Sequence, residues 1–148
     1  MSYMCLYYHI VFSTKQRRPF LTEEKIHNLS SYMGGILRNI KGTLLEANGM
    51  SDHVHLAVSL HQDHSHSEVV RKIKGSSSRW IHQNEPDLQN FQWQEGYSAF
   101  TISYSGLEKV ISYIRNQQEH HRKITFEEEL LSLLKKHKIQ FDPEYVFS

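Results

Sequence analysis

Asp52-His53-Val54-His55-Leu56-Ala57-Val58-Ser59-Leu60 is the stretch on which the reading of the fold turns. Val54, Leu56, Val58 and Leu60 are apolar and alternate without a break with His53, His55, Ala57 and Ser59. Period two over this length predicts a half-buried strand, with one face on a core and the other polar. Side chains at i and i+2 share a strand face, so His53 and His55 project together, opposite the core, as two ligands of one cation would.

Working outward, Thr43 to Ala47 predicts a second strand that turns at Asn48-Gly49 into the histidine strand, an antiparallel hairpin. Near the start, Tyr8, Ile10 and Phe12 alternate with Tyr7, His9, Val11 and Ser13, which places His9 on the face of the histidine pair. Thr22 caps a helix carrying Ile26, Leu29, Met33, Ile36, Leu37 and Ile40 at helical spacing, with Leu21 stapled onto Ile26. Ser65 and Glu68 form a capping box for a second amphipathic helix, which ends before Pro86. Gly75 with Ser76, Ser77 and Ser78 suits either a close approach by DNA backbone or tight packing on the sheet. A fourth strand runs from Gly96 to Tyr104, with Phe100, Ile102 and Tyr104 on one face. Two helices follow. The class is therefore α+β: a ferredoxin-like βαββαβ fold with a four-stranded antiparallel sheet, then a helix bearing Tyr113 and a C-terminal helix from Phe126 to His137. Residues 1–148 read as one domain.

The histidine pair needs partners. Ser105-x-x-Glu108 has the form of a capping box, and Leu107, Val110, Ile111 and Ile114 give the helix after it a buried stripe. Tyr113 and Gln117, four residues apart, share a flank of that stripe and set a hydroxyl and an amide oxygen one turn apart.

At these residues the chain resembles the single-tyrosine HUH transposases of the insertion-sequence 200/605 group, including relatives associated with repetitive extragenic palindromes. The landmarks lie in order: Tyr8-His-Ile-Val-Phe-Ser-Thr-Lys15, Asp52-His53-Val54-His55-Leu56, Trp93-Gln-Glu-Gly-Tyr-Ser-Ala-Phe100 and Tyr113-x-x-x-Gln117. Ser51 stands where proline is expected. The resemblance implies that His53, His55 and Gln117 hold Mg²⁺ or Mn²⁺. It also implies that Tyr113 attacks a phosphodiester of single-stranded, hairpin-bearing DNA, leaving a 5′-phosphotyrosine and a free 3′-hydroxyl. It implies homodimers in which the tyrosine helix of one subunit completes the histidine site of the other. Such ester exchange needs no ATP, and the chain has no phosphate-binding Gly-x-x-x-x-Gly-Lys loop or other nucleotide-cofactor motif. A phenol of ordinary pKa ~10 must lose its proton as it attacks, and Lys109 and His120 are candidates to assist.

Composition narrows the classes further. No apolar run approaches a membrane span and the start has no signal-peptide pattern, so a cytoplasmic protein is expected. Cys5, the only cysteine, excludes an intrachain disulfide and a thiolate zinc site, and reads as a buried strand residue. The net charge of +1 is small for a nucleic-acid binder. Local clusters are more suggestive: Lys15, Arg17 and Arg18 after the first strand, and Arg71, Lys72, Lys74 and Arg79 on one helix, are candidate DNA contacts, while Glu127, Glu128 and Glu129 keep acidic charge near the C-terminus. Trp93 and Tyr97 suit either packing or stacking on unpaired bases. The tract His61-Gln-Asp-His64-Ser-His66 reads as a solvated loop rather than a metal tract. A histidine-dependent nucleotide hydrolase would want a third histidine where Ala57 stands. A domesticated, non-catalytic hairpin binder is the other alternative.

Overall fold

The computed structural model describes residues 1–148. Strands β1 (Tyr7–Ser13), β2 (Thr43–Met50), β3 (His53–Ser59) and β4 (Ser98–Ile102) form one antiparallel sheet in the order β2-β3-β1-β4. Helices α1 (Glu23–Asn39) and α2 (His66–Asn84) connect the strands in the βαββαβ order, and α3 (Leu107–Arg115), α4 (Gln117–His120) and α5 (Phe126–Lys136) follow β4. The ferredoxin-like arrangement is the expected one. Thr22, Ser65 and Thr125 each accept a backbone N–H at the start of α1, α2 and α5, which satisfies donors that a helix start leaves free.

The alternation of β1 sends its side chains into two separate cores. Ile10 and Phe12 join Val54, Leu56 and Val58 under α1 and α2, with Leu21, Ile26, Leu29 and Met33 in the same cluster. Each such side chain, fully buried, contributes about 1.5–3 kcal/mol. On the opposite face Val11 and Phe100 pack against Phe126, Leu130 and Leu134 of α5. Helices α3 to α5 thus cover the face that carries the histidines. As a result β3 is buried on both sides, with His53 at 1% and His55 at 0% exposure, rather than half-buried.

Several local expectations shift. Asn48 and Gly49 lie within β2, paired with His55 and Val54, and the turn falls at Ser51-Asp52. Gly49 is needed for close approach: a Cβ there would overlap the His53 carbonyl oxygen and lie 3.0 Å from Val54 Cα. Asn48 instead ties the helices to the sheet, its Nδ2 donating to the Arg115 carbonyl (3.0 Å) and to Gln118 Oε1 (2.9 Å). The tyrosine helix starts at Gly106 with no side-chain cap, because Tyr104–Gly106 form a 3-10 turn that displaces the Ser105 box; Asn116 then divides α3 from α4. Tyr104 follows that turn into solvent, so it does not share the buried face of Phe100 and Ile102. Cys5 precedes β1 and is exposed. No helix is long and apolar enough to cross a membrane.

Candidate metal centre and nucleophile

His53 and His55 emerge from β3 on the face covered by α3 to α5, and each is oriented from behind. His53 Nδ1 lies 2.8 Å from Asp52 Oδ1, and His55 Nδ1 lies 2.8 Å from His9 Nε2. Such outer partners set ring orientation and tautomer in metal sites. His9, placed by the alternation of β1, is therefore part of the cluster as expected. Burial, reinforced by the neighbouring His55, pushes the His9 imidazole down to about 3. Burial likewise carries His55 down to about 4, against the opposing pull of Glu129. Both rings are neutral at physiological pH, the form that ligates metals.

The turn at Asn116 delivers Gln117 fully buried to the same point, its Oε1 3.3 Å from His53 Nε2. Two further residues converge there. Glu129 of α5 accepts from His55 Nε2 at 2.9 Å, from His121 Nε2 at 3.1 Å and from Gln117 Nε2 at 2.9 Å. His121 Nε2 also lies 3.1 Å from Gln117 Oε1. Burial works to raise the Glu129 carboxyl, but the hydrogen bonds from His121 and His55 outweigh it and hold the group well below the usual carboxylate range. Burial works to lower His121, and the hydrogen bond and charge of Glu129 raise it on balance.

The Tyr113 hydroxyl closes the cluster by donating to Glu129 Oε2. Burial first, and then the Glu129 carboxylate, lift the phenol above its ordinary range, so it stays protonated here. Of the two candidate assistants, His120 stacks on the Tyr113 ring at 4.5 Å between centroids, and Lys109 lines a cavity beside it. His120 Nε2 is buried without a partner.

Ligand atoms of His53, His55, His121 and Glu129 lie within 4.8 Å of one another. With the Gln117 oxygen they make a compact mixed nitrogen and oxygen donor set, which suits a divalent cation that retains open positions. The residues present fit such an ion. Sequence reasoning missed Glu129 and His121, and both left a signal. Phe126, Glu129, Leu130, Leu133 and Leu134 fall at i, i+3, i+4, i+7 and i+8, so Glu129 sits in the apolar stripe of its helix. His121 follows Gln117 by one helical turn.

The candidate DNA contacts divide. Arg71, Lys72 and Arg79 border one hollow on the outer side of α2, together with Gly75, where an added Cβ would meet nothing within 4 Å. Lys74 points the other way. Its ammonium donates to the carbonyls of Gln94 (2.8 Å), Glu95 (3.3 Å) and Gly96 (2.6 Å), and burial brings it down to about 8. It is committed to holding the loop before β4. Lys15 and Arg18 border a small cleft beside Phe20, whereas Arg17 lies 3.7 Å from Glu127 and over the Phe147 ring. Trp93 packs in the core and donates to Ser77 Oγ at 3.0 Å, which accounts for the small residues in α2 on that side.

Residues 2–117 match the family model described as transposase, IS200 like. Over 117 residues the chain is 30% identical to the transposase for insertion sequence element IS200 of Salmonella typhimurium (strain LT2), covering 76% of each chain. It is 25% identical over 119 residues to the ISDra2 transposase TnpA of Deinococcus radiodurans, covering 77% of this chain and 85% of that one. Among solved structures, one assigned as a transposase from Deinococcus radiodurans R1 superposes with a TM-score of 0.65 at 26% identity, over 78% of this chain and 93% of that one. The fold is also that of a REP-associated tyrosine transposase bound to a REP hairpin, with a TM-score of 0.63 at 17% identity, over 84% of this chain and 73% of that one. Glu129 and His121 lie beyond the residues that the family model matches.

Proposed function

Because the chain belongs to the IS200-like transposase family, we propose that it cleaves and rejoins single-stranded DNA at hairpin-bearing element ends in the cytoplasm, with Tyr113 as nucleophile and a divalent metal, Mg²⁺ or Mn²⁺, at His53, His55 and Gln117. One observation carries this reading: the Tyr113 hydroxyl, the His55 imidazole and the Gln117 amide all donate to a single buried carboxylate, Glu129, with His53 Nε2 3.6 Å from it. A group that attacks phosphate and groups that ligate a cation have to share such a point. A divalent cation held by these residues would supply Lewis-acid polarisation of the scissile phosphate. Tyr113 then exchanges one phosphate ester for another: its phenolic proton passes to the Glu129 carboxylate as the new P–O bond forms and on to the departing 3′-oxygen, which leaves as a hydroxyl. Glu129 holds the hydroxyl, and His120 fixes the plane of its ring. The hairpin bound by the REP-associated relative supports a hairpin-bearing substrate here.

Single-stranded DNA copied from the sequence that flanks the gene, incubated with Mn²⁺, tests the proposal. The wild-type chain should form a covalent adduct that Tyr113→Phe and His55→Ala both lose. Undiminished cleavage by either variant rejects it.

The assembly proposed with this chemistry is a homodimer with exchanged tyrosine helices. In the isolated chain α3 and α4 close over their own sheet, tied by Asn48 to Arg115 and Gln118. Exchange between copies would preserve the same contacts, with Gly106 at the foot of α3 as the hinge. Mixed dimers of Tyr113→Phe and His53→Ala distinguish the arrangements. Adduct on the His53→Ala chain demonstrates exchange, and a verified mixed dimer without adduct leaves the sites closed in cis.

A further inference from the structure

Between α3 and α5 a cavity of about 530 Å³ runs along the sheet edge and ends at His9 and the ring of Tyr113. Its floor is Phe100 and Ile102, which alternate onto this face of β4, and Val110 and Leu133 form its apolar walls. His137 lies over Phe100, stacked at 4.4 Å between ring centroids. Lys109 on α3 and Lys136 on α5 stand at the mouth, both exposed, and no carboxylate lines the space. None of His53, His55, Gln117, His121 and Glu129 lines it; of the cluster only His9, which backs His55, and Tyr113 do. The other sizeable hollows lack this combination: the one of about 720 Å³ is lined by Glu23 and Glu46, and the α2 hollow of about 460 Å³ by Glu68.

We propose that this trench is the subsite for one unstacked nucleotide adjoining the scissile phosphate. The inference rests on the proposed function above. Its volume lies within the ~300–1,000 Å³ typical of small-molecule sites. The exposed His137 ring, backed by Phe100, takes the face of any base, and the two exposed lysines of the lining take a flanking backbone phosphate. Tyr113 lines the same space, so a base seated on His137 brings its other flanking phosphate to the phenol side. The stacking surface and the lysines read shape and charge, while Thr101 and Ser103 add hydroxyls to the lining.

The probes are thymidine 3′,5′-bisphosphate and its base-less counterpart, 1,2-dideoxyribose 3′,5′-bisphosphate. Each is titrated into the full chain in EDTA while backbone amide resonances are followed. The thymidine probe should shift the Ser103, Gly106 and Val110 amides and bind roughly fivefold or more tightly than the base-less one. Val110→Trp, which fills the trench, should remove that difference. The surface pair Lys109→Glu and Lys136→Glu, which does not burden the core, should weaken both probes roughly tenfold and decides the matter if Val110→Trp does not fold. Equal binding of the two probes, or shifts confined to α2 or to the histidines, would overturn the proposal. Adduct formation on Tyr113, measured on the same preparation, separates the two ideas. Adduct without trench binding overturns only the subsite, and trench binding without adduct overturns only the proposed chemistry.

Discussion

Tyr113 of α3 donates its hydroxyl hydrogen bond to Glu129 of α5, so the proposed nucleophile is held by a helix outside the segment that matches the family model. The same carboxylate accepts from His55, His121 and Gln117. Glu129→Ala leaves those donors buried without an acceptor and should destabilise the chain by about 2–4 kcal/mol in thermal unfolding. Glu129→Gln should fold but bind Mn²⁺ about 10–100-fold more weakly by calorimetry. Unchanged affinity would remove Glu129 from the metal site. The imidazole-rich donor set should also favour Mn²⁺ over Mg²⁺ by roughly tenfold or more.

Acid should destabilise the metal-free protein. His9 and His55 are lowered to about 3 and about 4, whereas in the unfolded chain both titrate near ~6.5. The unfolded state therefore binds more protons below that pH. The contribution of the two rings is complete above ~6.5 and is lost as pH falls toward their folded values. Glu129, also lowered, adds a loss below its own unfolded value. His121, raised, opposes the trend, contributing below ~6.5 and losing that contribution as pH rises through its folded value, but it is one group against three. Calorimetry in EDTA should show the melting temperature falling by roughly 5–10 °C between pH 7 and pH 4.5. A flat or rising profile contradicts the buried neutral pair.

Two glycines should respond to alanine with opposite signs. Gly49→Ala drives a methyl group into the His53 backbone and should cost about 2–4 kcal/mol, with metal affinity falling as His53 shifts. Gly75→Ala meets open space in mid-helix and should stabilise α2 by about 0.5–1 kcal/mol. Denaturant unfolding of both variants measures the contrast.

The hollow bordered by Arg71 and Arg79 invites a phosphate backbone, whereas Lys74 is occupied by three carbonyls. Arg71→Ala with Arg79→Ala should weaken hairpin binding and reduce the slope of log affinity against log salt by about 2. Lys74→Ala should lower stability and leave that slope unchanged. Filter binding over a salt series separates them.

Much of this was legible in the sequence because its signals are local. The period-two runs of β1 and β3, the caps at Thr22 and Ser65, and the i to i+4 pairing of Tyr113 with Gln117 each rest on a few neighbouring residues. Asn48-Gly49 misled for a physical reason: the same dipeptide that makes a tight turn also lets two strands approach closely and offers an amide to distant helices. Glu129 was hidden by its neighbours, since Glu127 and Glu128 beside it are solvated and made the trio look like one acidic surface. Only the packing of α5 on the histidine face, a contact between segments far apart in sequence, assigns it to the site.

Mass spectrometry of the covalent adduct tests the central claim most directly. The full chain, Mn²⁺ and single-stranded DNA copied from the sequence that flanks the gene should yield one nucleotide-modified peptide containing Tyr113, joined through a 5′-phosphate, with a free 3′-hydroxyl on the released strand. Cleavage with no adduct, or an adduct on any other residue, would contradict it.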